Sequence, residues 1–325
     1  MRTLAGIVML LGLGLSSAQA ANCQLKMLGS VDLEVTADPD QVLVPVTFGE
    51  LQKKFALDIG ASFNVMDEEN ARQARFRIRS LDPNIPLHAM GQKVQRLGFS
   101  PKFRVGSLPG EDVEFALLPE QMPYKHLAGI LGMRLFERLD FELDIAQRKL
   151  NIFSPDHCPH KVVYWTKAGF AELPFRRDGI ANSSQVTLDG KPLRATFSTF
   201  QNTTIGMNTA RQLFGLDENS PGMVLFKTMP DGEKYYRYPF KGLALESLTV
   251  NNPNIYIRDA APEACSNRPK LQDTDAPQGH ASEKPVIEVT CFGSDITIGI
   301  SVMSKLHAYF SSGERLIYLT AASDR

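Results

Sequence analysis

Asp58 is the residue of this sequence that is best placed to do chemistry. It follows three apolar residues, Phe55, Ala56 and Leu57, and Gly60 lies two positions further on. A carboxylate at the end of a buried strand is costly to desolvate unless other groups pair with it. Gly60 lets the backbone turn tightly beneath the carboxylate, where a side chain would collide. Asp58 is therefore a candidate functional acid, and the alternative is a structural acid held by backbone donors of its own turn.

The elements around Asp58 are short strands and turns. Apolar-rich runs at residues 41–48 and 53–57 are joined by Gly49 and Glu50, which predicts a hairpin. Residues 67–74 begin with acids, as a short helix does. Further strands are predicted at residues 103–105 and 113–118, separated by Pro109 and Gly110.

The loop that follows the 53–57 strand resembles the active-site loop of the retropepsin-like and pepsin-like aspartic proteases. That family has the order apolar, apolar, Asp, Thr or Ser, Gly, Ala or Ser, and Asp58, Gly60 and Ala61 match it. Ile59 departs from it, because the family normally carries a hydroxyl there. The resemblance implies that Asp58 is a catalytic acid and that residues 59–61 shape its loop.

A second segment strengthens this resemblance. Residues 128–132 read as a buried strand ending at Gly132, followed by a helical pattern and two strands at 141–144 and 149–153. In the family, the corresponding strand packs behind the catalytic loop. The resemblance covers most of residues 41–153, and it implies that an exposed hairpin within residues 87–99, with Met90 and Gly91 at its centre, is a flap over a peptide-binding cleft.

The second half of the sequence repeats the first. Residues 186–188 match residues 46–48 at an offset of 140, whereas Gly299 follows Gly132 by 167 residues. The difference indicates an insertion, which we assign mainly to a mobile loop within residues 266–285, where no apolar period survives. We therefore predict a mainly β protein with two pseudo-symmetric retropepsin-like β-barrel lobes, each with a short helix. The predicted lobes are residues 21–160, which carry Asp58, and residues 161–325.

The second copy lacks the acid. Aspartic protease chemistry needs two facing carboxylates that share one proton. The offset pairs the loops position by position: Asp58 with Ser198, Ile59 with Thr199, and Gly60 with Phe200. The Ser198 hydroxyl does not ionise near neutral pH, and Phe200 brings a ring to a position where the family has bare backbone. We predict that peptidase activity is weak or absent and that Asp58 is the only retained acid of the catalytic type.

Other chemistries find less support in the sequence. Asp189 and Gly190 lie between two apolar runs, which is the pattern of a hairpin turn and not of a catalytic acid. Residues 156–160 combine Asp, His and Cys, but Pro159 marks a linker and Cys158 is expected in a disulfide, so we predict no metal and no cofactor. No Gly-x-Ser-x-Gly or phosphate-loop motif is present, which argues against serine hydrolases and nucleotide enzymes.

The N-terminus indicates export. Arg2, an apolar run at residues 4–15 and the small-residue motif at residues 18–20 are typical of a signal peptide over residues 1–20. The run is too short to cross a bilayer, and no membrane span is expected in the mature chain. We predict a periplasmic or extracellular protein. With 35 basic and 36 acidic residues, the charge offers no case for a nucleic-acid partner.

Four cysteines remain after cleavage of the signal peptide, and an even number in an exported protein favours disulfides. Three connectivities are possible. We predict one bridge in each half, Cys23 with Cys158 and Cys265 with Cys291.

Three functions compete on this basis. The first is a peptide-binding protein that holds an extended peptide or an unfolded protein segment by strand addition. The second is an active aspartic endopeptidase that combines Asp58 from two chains, which the second lobe argues against because it should occupy the dimerisation face. A monomer is therefore expected. The third is a structural envelope protein whose cleft is closed by Phe200.

Overall fold

The computed structural model describes residues 23–37, 40–85, 87–178, 181–260 and 294–322. The chain is mainly β, and its strands form two large curled sheets, one six-stranded sheet and one isolated hairpin. This confirms the expected fold class. The predicted signal peptide, the 266–285 insertion and the pair Cys265 and Cys291 lie outside the described residues.

The first large sheet is built from the first half of the chain, and we call it the N-terminal sheet. In spatial order its strands are Leu108–Gly110, Phe103–Val105, Asp40–Phe48, Leu51–Leu57, Gly129–Leu131, Val65–Asp67, Val113–Leu118, Arg96–Ser100 and Arg77–Ser80, and Glu34–Ala37 pairs with Asp40–Phe48 outside this order. Gly49, at a φ of 65°, turns the predicted hairpin. The isolated hairpin, His88–Ala89 with Gln92–Lys93, is inserted before Arg96–Ser100.

The second large sheet, the C-terminal sheet, repeats this plan in the second half. In spatial order its strands are Val224–Thr228, Lys234–Arg237, Tyr256–Asp259, Thr204–Gly206, Ile296–Ile298, Lys191–Phe197, Ala181–Leu188, Gly242–Leu245 and Leu248–Asn251, and Arg176–Asp178 pairs with Ala181–Leu188. In each sheet, the strand that we call the wedged strand lies between a parallel and an antiparallel neighbour. Gly129–Leu131 holds this place in the first half and Ile296–Ile298 in the second.

The helices are short. They are the α-helices Glu68–Gln73, Met207–Thr209 and Ile300–Met303, the 3₁₀ turn Met133–Phe136 and the π-helical turn Ala210–Phe214. Asp67 caps the first helix, because its side chain accepts a hydrogen bond from the Asn70 N–H at 2.8 Å.

Two local predictions were wrong. The strands predicted at residues 103–105 and 113–118 are formed, but Pro109 and Gly110 between them belong to a further strand, Leu108–Gly110, because the chain already turns at Gly106, whose φ is 56°. The helix predicted after Gly132 is the single 3₁₀ turn Met133–Phe136, since the chain must enter the strand Asp140–Asp144 a few residues later.

A six-stranded antiparallel sheet joins the two halves, and we call it the shared sheet. In spatial order its strands are Met27–Asp32, Lys149–Phe153, Asp140–Asp144, Leu306–Ser311, Leu316–Ala321 and Ala171–Pro174. The halves meet where Asp140–Asp144 pairs with Leu306–Ser311. On one face of that junction the rings of Phe141 and Phe310 stack with centroids 4.5 Å apart.

The other face of the junction carries three buried carboxylates, Asp140, Glu142 and Asp144, which alternate along one strand. Partners from the second half satisfy them. His307 places Nε2 2.9 Å from Glu142 and Nδ1 3.2 Å from Asp144. Asp140 accepts hydrogen bonds from the Ser312 backbone and hydroxyl, both at 2.9 Å.

The connection between the halves packs over these acids. The Tyr164 hydroxyl donates to Glu142 at 2.5 Å, and the Trp165 ring stacks on His307 with centroids 4.1 Å apart. Next to it, the predicted disulfide between Cys23 and Cys158 is formed. The part of the chain that the structure describes contains no helix with the length and apolarity needed to cross a membrane.

Candidate active-site cleft

Asp58 lies where the strand Leu51–Leu57 ends, at the face that meets the second half of the chain. Its backbone N–H donates to the Leu131 carbonyl at 2.9 Å, so the wedged strand supports the loop from behind. A Cβ on Gly60 would lie 2.5 Å from the carbonyl oxygen of Phe197. Glycine is needed at position 60 because the opposite loop approaches its backbone this closely.

The opposite loop is the one that the repeat predicts. Ser198 follows the strand Lys191–Phe197, and its N–H donates to the Ile298 carbonyl at 3.0 Å. The Ser198 hydroxyl donates to Asp58 Oδ1 at 2.9 Å. The structure therefore places Ser198 directly across from Asp58.

Three donors converge on one oxygen of Asp58. Oδ1 accepts from the Gly60 N–H and the Ser198 hydroxyl, both at 2.9 Å, and from the Thr199 N–H at 3.3 Å. Among the described residues, no donor contacts Oδ2. One oxygen is thus held by the protein, and the other remains for a ligand.

Burial governs the protonation of Asp58. Desolvation at the base of the cleft raises the pKa of its carboxyl above the ordinary value, and the donors from Gly60, Ser198 and Thr199 counteract only part of this effect. Donors to a carboxylate favour the ionised form, whereas exclusion of water favours the neutral form. Asp58 therefore holds its proton to a higher pH than an exposed aspartate does.

Thr199 braces the two loops, a role that the sequence analysis did not assign. Its hydroxyl donates to the Leu57 carbonyl at 2.5 Å and accepts the Ile59 N–H at 3.3 Å. Ile59 has no hydroxyl, so only Thr199, on the other side of the cleft, contributes a side-chain hydroxyl to this brace. The signal was present in the sequence, since the offset of the repeat pairs Thr199 with Ile59.

Gly132 and Gly299 occupy equivalent positions behind the two loops, in close contact with the loop backbone. A Cβ on Gly132 would lie 2.5 Å from the Phe63 carbonyl oxygen, and one on Gly299 would lie 2.2 Å from the Gln201 carbonyl oxygen. The Gly132 N–H donates to Asn64 Oδ1 at 3.0 Å, and the Gly299 N–H donates to Thr203 Oγ1 at 2.9 Å.

The predicted flap is the isolated hairpin, which turns at Met90 and Gly91, with φ values of 52° and 76°. The Met90 side chain is exposed, whereas Leu87 and Val94 at the base of the hairpin are buried in an apolar cluster. Ala61 packs against the same cluster, which we call the flap cluster. The tip is thus accessible while its base is fixed to the first half.

Phe200 reaches across the cleft. Its half-buried ring packs against the flap cluster and meets the Tyr124 ring edge to face, with centroids 5.6 Å apart. Its backbone N–H donates to the Ser198 hydroxyl at 3.1 Å. The loop that carries Ser198 therefore packs an aromatic side chain against the opposite wall of the cleft.

The other candidates from the sequence lie outside this site. Asp189 is at a hairpin turn, where its Oδ1 accepts the Lys241 and Gly242 N–H groups. His157 pairs with Asp140 at 2.7 Å in the shared sheet. Across the described ranges, no group of three or more His, Cys, Asp or Glu side chains is arranged to hold a metal ion.

Similarities in sequence and in fold connect this chain with known proteins. A sequence model of the aspartyl protease family matches residues 44–135. The aspartic proteinase of Irpex lacteus has a similar fold, with a TM-score of 0.56 and 11% identity, over 91% of this chain and 97% of that protein. Basic 7S globulin from soybean aligns over 93% of this chain and 96% of its own, with a TM-score of 0.49 and 9% identity. No curated protein matches the sequence significantly.

Proposed function

We propose that this chain, which resembles the aspartic proteases in its fold and over residues 44–135, is an exported peptide-binding protein with weak or absent peptidase activity. The observation that carries the proposal is the hydrogen bond from the Ser198 hydroxyl to Asp58 Oδ1, at 2.9 Å. A hydroxyl stands where the chemistry requires a second carboxyl group.

The reaction needs both carboxyl groups at once. One, ionised, takes a proton from water, while the other, protonated, donates to the scissile carbonyl. Asp58 can occupy only one of these states at a time. Ser198 can orient Asp58, but its hydroxyl cannot act as the base near neutral pH. Binding of a peptide remains possible because it needs no second acid.

The cleft has features suited to an extended peptide. Asp58 Oδ2 has no donor among the described residues and offers a polar anchor, while the flap hairpin presents Met90 at its tip. Strand addition satisfies the backbone groups of the peptide, and the flap cluster offers apolar contacts for its side chains.

An active site made from Asp58 of two chains is the weaker alternative. The place that a second Asp58 would need beside the first is filled by Ser198 and Thr199 of the same chain. A second chain would have to displace this loop and break the Thr199 brace. Export draws on the signal-like N-terminus and the disulfide between Cys23 and Cys158, since such bridges persist in oxidising compartments.

Cleavage of a reduced, unfolded protein tests the lack of activity, measured between about pH 3 and 7, where carboxyl pairs titrate. We expect no pepstatin-sensitive turnover above that of Asp58→Asn, the matched control. Turnover that pepstatin blocks and Asp58→Asn lacks would instead establish an active peptidase.

Peptide binding is tested separately by calorimetry with extended apolar peptides. We expect saturable binding by the native chain and weaker binding by Asp58→Asn, because the amide replaces an oxygen of the anchor with a donor. A folded protein that binds none of these peptides, with Phe200 in place or removed, would contradict this part of the proposal.

A further inference from the structure

Phe200 has an unusual position in the hydrophobic core. The buried residues of the flap cluster all come from residues 43–130, and Phe200 is the only described hydrophobic residue of the second half that packs against it. The equivalent position in the other loop is Gly60, where no side chain fits. The two loops therefore differ in packing as well as in chemistry. At this position, only the Ser198 loop places a side chain against the opposite wall of the cleft.

The surroundings of this ring match those of a bound side chain. Tyr124 contacts Phe200 edge to face at 5.6 Å, and Ala61 and Phe63, from the loop of Asp58, pack against the same cluster. Aromatic pairs in this geometry contribute beyond the area that they bury. An extended ligand anchored at Asp58 would place one of its own side chains against this wall.

We propose that Phe200 is a built-in occupant of an aromatic side-chain site beside Asp58, and that peptides bearing a Phe, Tyr or Leu side chain bind by displacing it. This inference rests on the proposed peptide-binding function. It adds which side chain of the peptide is preferred. It also identifies Phe200 as the group that competes with this side chain and lowers the affinity for the peptide.

The ring is placed so that it can leave. Phe200 is half-buried, and Gln201 beside it is exposed. The backbone N–H of Phe200 donates to the Ser198 hydroxyl, and that hydroxyl also donates to Asp58. The Ser198 hydroxyl thus connects the backbone of Phe200 with Asp58. A ligand that binds Asp58 therefore also perturbs the loop that carries the Phe200 ring.

The test compares two peptides and three variants by calorimetry. The probes are acetyl-Ala-Ala-Phe-Ala-Ala-amide and the all-alanine pentapeptide. Phe200→Ala should bind the Phe peptide at least tenfold more tightly than the native chain, with less than a twofold change for the alanine peptide. Phe200→Leu, which keeps much of the apolar contact, should show a smaller gain and serves if Phe200→Ala does not fold.

Phe170→Ala is the control, because it removes a phenylalanine ring that packs on Tyr318 of the shared sheet and not on the flap cluster. It should leave both affinities unchanged. Equal affinity of the native chain and Phe200→Ala for the Phe peptide would overturn the proposal. Weaker binding by Phe200→Ala would also overturn it, since Phe200 would then be part of the wall that holds the ligand.

Toluene separates this inference from the proposed function, because it is a small aromatic molecule that can occupy the apolar site vacated by the Phe200 ring without any peptide contact. Phe200→Ala should bind toluene and shift the NMR signals of the Tyr124 ring, whereas Phe170→Ala should not. Toluene binding without any peptide binding would support the side-chain site and refute the peptide-binding function. Absence of toluene binding by folded Phe200→Ala would refute the site itself.

Discussion

The Asp58 loop and the Ser198 loop share a backbone scaffold and differ in the side chains that it carries. Equivalent hydrogen bonds support them: Asp58 N to Leu131 O at 2.9 Å and Ser198 N to Ile298 O at 3.0 Å, then Met133 N to Ala61 O at 2.7 Å and Ile300 N to Gln201 O at 2.8 Å. The glycines behind them are equally confined. In contrast, the acid Asp58, the glycine Gly60 and the hydroxyl of Thr199 have no equivalent at the matching position of the other loop.

This difference separates what the fold requires from what catalysis requires. The supporting strands, the two confined glycines and the Thr199 brace keep buried backbone groups satisfied, so the fold needs them whatever happens at position 198. The second carboxyl group contributes to no such contact. A chain can thus keep the shape of the site without a second carboxyl group, and shape alone is weak evidence for activity.

The largest expected effect comes from making the two loops alike. Ser198→Asp combined with Phe200→Gly restores a facing carboxyl and clears the backbone beside it. We expect pepstatin-sensitive cleavage of an unfolded protein at least about 100-fold above the native level, since a positioned general acid or base contributes roughly that much or more. Adding Asp58→Asn to this variant should abolish the gain. A folded double variant that neither cleaves nor binds pepstatin would show that the loops do not face each other as described.

The next test asks whether the scaffold is equivalent on both sides. Gly132→Ala and Gly299→Ala each force a Cβ to within 2.5 Å of backbone atoms. Each should lower the free energy of unfolding by roughly 3 kcal/mol, measured by urea denaturation, because rigid backbone cannot yield cheaply. Gly206→Ala is the control, since no heavy atom beyond its two chain neighbours lies within 4 Å of its added Cβ. A large loss of stability in only one of the two glycine variants would show that the two loops are not supported in the same way.

A smaller effect is expected from the one-sided brace. Thr199→Val keeps the shape of the side chain but leaves the Leu57 carbonyl and the Ile59 N–H without this partner. The cost should be about 2 kcal/mol in denaturant unfolding, as for other buried groups that lose a hydrogen bond. Thr249→Val, at an exposed position of an edge strand, should be close to neutral. A neutral Thr199→Val would mean that the loops are held without the brace.

The smallest effect concerns Asp58 and depends on pH. Its folded-state pKa is raised by burial above the ordinary 3.8, so the folded protein holds the proton more tightly than the unfolded chain does. Ionisation therefore costs stability as pH rises from about 4 through the folded-state pKa, and the cost is full above it. Asp58→Asn should raise Tm at pH 7, and this gain should fade as the pH is lowered to about 3.5. A gain that does not depend on pH would mean that burial of the charge is not its source.

Local features of the fold could be predicted from the sequence because local rules determine them. The hairpins at Gly49 and Asp189 follow from turn chemistry, and the helix after Asp67 follows from its capping acid and early glutamates. The placement of Ser198 opposite Asp58 followed from the repeat. The strand Leu108–Gly110 was missed because a Pro-Gly pair is typical of a turn, and its pairing with Phe103–Val105 depends on the neighbouring strand.

What the sequence could not show are contacts that tertiary placement decides. A phenylalanine at position 200 indicates a lost glycine, but nothing near it in sequence indicates that the ring reaches Tyr124. The acids Asp140, Glu142 and Asp144 look like the exposed edge of a strand until partners from beyond residue 300 are known. Such pairings form between residues more than 150 positions apart, where no local pattern reports them.

The strand Asp140–Asp144 also bears on whether the first half could pair with a second copy of itself. In the shared sheet Glu142 pairs with Tyr309, and Asp144 pairs with His307. At the offset of 167 residues that separates Gly132 from Gly299, Tyr309 corresponds to Glu142 of the first half, and His307 corresponds to Asp140. Two copies of the first half joined through this strand would thus set Glu142 against Glu142 and Asp144 against Asp140. Buried like charges at these positions would oppose the assembly. This repulsion would therefore disfavour a homodimer of the first half in which two copies of Asp58 face each other.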